Sequence, residues 1–139
     1  MYPEELVAPM RQELTDAGFE SLTTAEAVNA HFQDHKGTTL VVVNSVCGCA
    51  AGAARPGVRF ALQNGANKPD NCVTVFAGND REATQAARDL MMPYPPSSPC
   101  IALFKDGELV QMVERHHIEG RNAEMIGAFL VSTFDEHCA

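Results

Sequence analysis

Positive charge is scarce in this chain: 10 Lys and Arg stand against 18 Asp and Glu over 139 residues, for a net charge of -8. No Lys/Arg cluster interrupts that balance, which argues against nucleic acid or an anionic membrane as partner and for small molecules or other soluble proteins. No apolar stretch is long enough to span a bilayer. Met1-Tyr2-Pro3-Glu4-Glu5 has neither the basic segment nor the apolar core of a secretion signal, so a cytoplasmic location is expected. Internal repeats, low-complexity tracts and linkers are also missing, and the length suits a single domain over residues 1–139. A Gly-rich phosphate cradle and a nicotinamide fingerprint are absent too. No tightly bound cofactor is therefore expected, and reducing equivalents must come from a separate reductase or a small thiol.

What the chain does have is five cysteines. An odd number argues against a fully paired disulfide framework, and in a reducing cytosol a close pair reads as catalytic or metal-binding. That pair is Cys47-Gly48-Cys49. It lies directly after the apolar, β-branched run over residues 39–46 and directly before Ala50-Ala51-Gly52-Ala53-Ala54. At a strand–helix junction, amide N–H groups and the helix dipole stabilise a thiolate, so a redox site is the leading expectation. The competing reading is a zinc or iron–sulfur site built from the two thiolates, Cys100 and a histidine. It lacks a second Cys-x-x-Cys, and no metal is expected.

The periodicity predicts alternating elements. Leu6, Val7, Met10 and Leu14 recur at helical spacing in a first helix ended by Gly18. Thr23-Thr24-Ala25-Glu26 reads as a capping box, with Thr23 and Glu26 exchanging amide bonds, ahead of a helix striped by Ala25, Val28 and Phe32 and closed by Gly37. Residues 39–46 suit a strand covered on both faces. The helix after the dithiol runs to about Asn64 and is expected to kink at Pro56. Residues 71–77 predict a second strand. Gly78-Asn79-Asp80 supplies a turn and an N-cap for a helix from Arg81 to about Met91. The proline-rich stretch over residues 92–99 fits neither helix nor central strand and suits a cis peptide bond. It leads into a strand over 100–104, which Asp106-Gly107 turns back through a hairpin into 109–113. From Glu119 onward, Ala123, Met125, Ile126, Phe129, Leu130 and Phe134 predict a last packed helix. The fold class is α/β with a mixed sheet.

A strand, a dithiol at a helix start, a proline-containing helix, and the run Ser98-Pro99-Cys100-Ile101-Ala102-Leu103-Phe104-Lys105-Asp106-Gly107-Glu108 together resemble the thioredoxin fold, here with extra N-terminal helices. That fold implies a central mixed sheet flanked by helices, with Pro99 as a cis proline facing the sulfurs. The spacing departs from thioredoxin, which has two residues between its cysteines where this chain has only Gly48. Over essentially its whole length the chain is similar to the bacilliredoxins, through Val43-Asn44-Ser45-Val46-Cys47-Gly48-Cys49-Ala50-Ala51-Gly52, Pro95-Pro96-Ser97-Ser98-Pro99 and Arg115-His116-His117-Ile118-Glu119-Gly120-Arg121. The resemblance implies a thiol–disulfide oxidoreductase that removes bacillithiol, or a similar small thiol acting as co-substrate, from S-thiolated proteins. Some relatives are described as disulfide reductases or isomerases, and a general activity of that kind, or a metal-binding or redox-sensing adaptor, stands as the alternative.

By matching positions Cys47 is the nucleophile and Cys49 the resolving or regulatory thiol. Gly48 is expected to supply backbone angles that a Cβ would oppose. Cys100 departs from the serine the family pattern has after the proline and puts an extra thiol near the active site. Arg55 and Arg59 follow the dithiol along its helix and are candidates for holding a carboxylate-bearing thiol, with a solvated helix face as the plain alternative. His116 and His117 read as strand-end or loop residues on opposite faces, His117 being a candidate substrate contact. Cys72 reads as a small buried hydrophobe and Cys138 as a mobile chain-end thiol.

Overall fold

The computed structural model describes residues 1–33 and 36–139. Its elements are α1 (Glu4–Thr15), β1 (Glu20–Ser21), α2 (Ala25–Phe32), β2 (Thr38–Asn44), a π-helical turn (Ala50–Ala54), α3 (Arg55–Asn64), β3 (Asn71–Phe76), α4 (Arg81–Leu90), β4 (Cys100–Lys105), β5 (Glu108–Val113), α5 (Arg115–Ile118) and α6 (Ala123–His137). The sheet runs β1-β3-β2-β4-β5. β3 is parallel to β1 and β2, whereas β4 is antiparallel to β2 and β5, so the sheet is mixed as expected.

The two-residue period of a strand divides the core into two layers. Leu40 and Val42 of β2 join Ile101 and Leu103 of β4 against α3 and α6, where Val58, Ala61, Ile126, Leu130 and Phe134 pack. Val41 and Val43 join Cys100, Ala102 and Phe104 on the other face, against α2 and α4 with Val28, Ala83 and Ala87. β2 is thereby buried along its whole length, which is why its sequence is apolar without alternation.

Several local expectations change. Thr24, in extended conformation, accepts the Ala27 N–H at 3.1 Å and is the N-cap of α2, so Thr23 is displaced from that role. α2 ends at Phe32 rather than at Gly37, and residues 34 and 35 lie outside those described. Asp80 precedes α4 but makes no side-chain cap bond. Its carboxylate takes both arms of the Arg11 guanidinium, at 2.6 and 3.0 Å, and ties α1 to the start of α4. The irregularity expected at Pro56 falls one turn earlier, in the π-helical turn, and Pro56 sits in the first turn of α3, where its missing N–H costs nothing. β1 was not predicted, since two residues carry no period.

α3 and α6 make the closest helix contact. A Cβ on Gly57 would stand 2.7 Å from the Ile126 Cγ2, so glycine lets the helices approach. Met125 and Phe129, expected in the core, are 52% and 45% exposed at the far side of α6. Leu6 of α1 is likewise exposed. Peptide bonds Met92-Pro93 and Ser98-Pro99 are cis. No described helix is long and apolar enough to cross a membrane.

Candidate functional site

β2 delivers the chain to the dithiol through a braced turn. The Asn44 side chain accepts from the Ser45 N–H at 2.9 Å and donates to the Met10 carbonyl at 3.1 Å, and the Ser45 hydroxyl accepts the Cys47 N–H at 3.2 Å. Beneath this turn lies Arg55, only 2% exposed. Its guanidinium bonds the Asn44 Oδ1 and the Ser45 carbonyl, each at 2.9 Å, and pairs with Glu13 at 3.2 Å. The expectation that Arg55 contacts substrate is therefore corrected: it is a buried prop whose guanidinium is spent on the turn that carries the dithiol and on Glu13. Arg59 is engaged with α1, donating to the Glu13 carbonyl at 3.2 Å while half-exposed beside a shallow pocket with Pro56 and Gln63.

The sulfurs of Cys47 and Cys49 lie 2.8 Å apart, both as free thiols. The carbonyl of Cys47 accepts from the N–H groups of Ala50 and Ala51 at 3.0 and 3.2 Å, turning the chain directly into the helix. The two thiols are driven in opposite directions. Cys47 is lowered, chiefly by the hydrogen bond from the Cys49 thiol and further by the N–H groups of Cys49 and Ala50 and the positive charge of Arg115, against some desolvation. Cys49 is raised, first by burial and then by donating to Cys47 and facing its charge. Of the two, Cys47 is the thiol that ionises first, its thiolate held by the thiol of Cys49.

Gly48 between them is exposed, lies outside the positive-φ glycines and has nothing within 4 Å of a built Cβ, so the expected need for special backbone angles is not met in this reduced state. Pro99 is buried and preceded by the cis bond expected of it. Cys100 is buried at 1% exposure and belongs to the α2/α4 layer, whereas Cys49 packs on the α3/α6 layer. The sheet thus separates Cys100 from the dithiol's side, and burial pushes its thiol up to about 12.

His116 and His117 are not on a strand. They form part of α5, with ring centroids 4.0 Å apart, and together with Glu114 they bring ligand-type atoms within 4.8 Å of one another. His117 Nδ1 accepts the Glu114 N–H at 3.1 Å, which leaves the ring proton on Nε2, so the trio is a helix-start network rather than a ready donor set. His117 also borders a groove with Met112, Arg121, Met125 and Phe129. Cys138 is the C-cap of α6, its N–H on the Phe134 carbonyl at 2.7 Å, and packs with Cys72 on the α3/α6 layer; it is not a loose chain-end thiol.

The residue missed in the sequence is Arg115. Its Nε pairs with Glu119 at 2.7 Å, and its NH1 donates to the Ser98 carbonyl, just ahead of Pro99, at 3.2 Å. The signal was there as an Arg–Glu pair at i,i+4 within Arg115-His116-His117-Ile118-Glu119.

A thiol pair closing the central strand of this sheet, with a cis proline just ahead of the neighbouring β4, defines a thiol–disulfide oxidoreductase of thioredoxin fold. Mitochondrial thioredoxin 3 of Saccharomyces cerevisiae, in its oxidized form, superposes with a TM-score of 0.57 at 15% identity over 86% of this chain and 95% of that one. The thioredoxin of Malassezia sympodialis gives 0.56 at 14% over 87% and 91%. At such identities the likeness is one of fold. A family model described as disulphide isomerase matches residues 2–138. Bacilliredoxins of Cytophaga hutchinsonii and Shouchella clausii are 60% and 55% identical, covering 98% and 99% of this chain and 99% and 94% of their own lengths. The chain belongs to the bacilliredoxin family.

Proposed function

We propose that the protein removes a low-molecular-weight thiol of the bacillithiol type from mixed disulfides on protein cysteines, with Cys47 as nucleophile and Cys49 as resolving thiol. The observation that carries this reading is the 2.8 Å pairing of two sulfurs whose acidities are pushed apart. The Cys47 thiolate attacks the small thiol's sulfur in the mixed disulfide. A new disulfide forms between Cys47 and the small thiol, and the client cysteine departs as a thiolate that takes up a proton.

Capping Cys47 also removes two of the causes that raise Cys49, its donated hydrogen bond and the facing charge, and leaves burial alone. Cys49 then ionises more readily at the moment it is needed. Its thiolate attacks the Cys47 sulfur, releases the small thiol and closes a Cys47–Cys49 disulfide, which a separate reductase or further small thiol returns to the dithiol. Attack by a second small-thiol molecule on capped Cys47 instead frees Cys47 directly, without Cys49, and the two small-thiol sulfurs leave joined as a symmetrical disulfide.

Intact-mass analysis after exposure to a model protein carrying bacillithiol tests the reading. Wild type is expected to strip the adduct, Cys47→Ser to acquire none, and Cys49→Ser to accumulate bacillithiol on Cys47. Undiminished stripping by Cys47→Ser would overturn the assignment.

A further inference from the structure

We propose that Arg115 forms an anion subsite at the dithiol, receiving a carboxylate of the incoming small thiol and selecting for negatively charged thiols over neutral ones. The inference rests on the small-thiol reading above and extends it to a residue and a ligand chemistry.

The placement follows from the sheet register. Val43 pairs with Cys100 in the antiparallel β2/β4 ladder. Continued outward, that register sets Ser98 and Pro99 against the Asn44-Ser45 turn that leads to Cys47. Arg115 is fastened over this loop at two points: its backbone N–H to the Ser97 hydroxyl at 3.4 Å and its NH1 to the Ser98 carbonyl at 3.2 Å. Both sulfurs feel its charge.

Glu119 holds the Nε edge at 2.7 Å, and the side chain is 45% exposed. Of the five N–H donors of a guanidinium, the Nε and one NH1 donor are engaged. The rest have no hydrogen-bond partner among the described residues and match the two oxygens of a carboxylate. Arg55, by contrast, is buried and spent on Asn44, Ser45 and Glu13, and Arg121 donates to the His117 carbonyl. A net charge of -8 makes such a local cation useful, because the bulk of the protein repels an anionic thiol.

The test compares alkylation of Cys47 by iodoacetate, an anion, with that by neutral iodoacetamide, at a pH where Cys47 is fully ionised and with the modified residue located by peptide mapping. Arg115→Gln is expected to lower the iodoacetate-to-iodoacetamide rate ratio by about three- to fivefold, a size fitting one exposed charge, and salt is expected to lower the wild-type ratio toward the variant's. Arg115→Lys should keep part of the preference. Glu119→Gln, which removes the competing negative charge while leaving an acceptor for Nε, should raise the ratio.

An unchanged ratio in Arg115→Gln, or equal slowing with both reagents, would overturn the proposal by showing a merely structural role. The expected ratios in a protein that strips no bacillithiol would uphold the anion subsite and overturn the bacillithiol reading instead.

Discussion

Cys47 and Cys100 lie beside the same end of the sheet, one beyond the last residue of β2 and the other at the first residue of β4, yet their chemistries diverge. Cys47 meets a neighbouring thiol, two backbone N–H donors and a guanidinium charge, all of which favour the thiolate. Cys100 meets hydrocarbon in the α2/α4 layer, and burial outweighs the nearby Arg88 and Ser97. A step of a few residues across the sheet edge therefore changes a nucleophile into a core side chain. Reactivity belongs to the surroundings of the sulfur, and a cysteine count alone does not report it.

The sharpest way to break this comparison is competitive labelling. Brief iodoacetamide treatment near neutral pH is expected to modify Cys47 at least about a hundredfold faster than Cys100 or Cys72, read by peptide mapping, with the gap disappearing in denaturant. Comparable native labelling of Cys100 would show that the sheet does not screen it. Cys100→Ala is correspondingly expected to retain stripping activity within about twofold while costing on the order of 1 kcal/mol of stability through lost packing.

Alkaline unfolding probes the same contrast thermodynamically. Cys72 and Cys100 rise from the ordinary 9.0 to about 12 on folding, so the unfolded chain loses these protons first. Their contribution is fully present below 9.0 and is lost as pH climbs toward about 12, at about 1.4 kcal/mol per pH unit for each thiol. Urea midpoints measured across that window should fall, and fall less steeply in Cys100→Ala.

At the dithiol itself, Cys49→Ala removes the largest cause of the raised Cys47 acidity. The midpoint of the Cys47 alkylation rate should therefore move to higher pH. A midpoint that stays put would transfer the effect to the backbone N–H groups and Arg115. The smallest effect is expected for Gly48→Ala in the reduced protein: with open space at the Cβ and no positive φ, stability should change by less than about 0.5 kcal/mol. Gly57→Ala, which drives a methyl against Ile126, should cost about 1–3 kcal/mol by the same denaturation assay.

Long elements were legible because periodicity survives in one dimension. The unbroken apolar stretch of β2, the helical recurrence of Ile126, Leu130 and Phe134, and the Asp106-Gly107 turn all appear where they were read. Misread features depended on neighbours distant in sequence. Asp80 does take the N-cap position of α4, but Arg11, across 69 residues, claims the carboxylate that would otherwise cap the helix amides. Arg55 looked solvated because arginines usually are, but Asn44 and Ser45, eleven and ten residues earlier, turn acceptor oxygens inward that its guanidinium bonds. His116 and His117 changed from opposite strand faces to one helical turn because Glu114 starts α5 at that point.

The sequence by itself determined the α/β order, the apolar central strand, the dithiol at its end and the proline-rich approach to β4, since each is written in contiguous residues and local backbone preference. Only the tertiary structure decided which thiol is acidified, which arginine is a prop and which lends its charge to the sulfurs, and which cysteines are hidden. Those outcomes depend on desolvation and on charges a few ångströms apart, and such distances exist only once the strands have paired and the helices have closed over them.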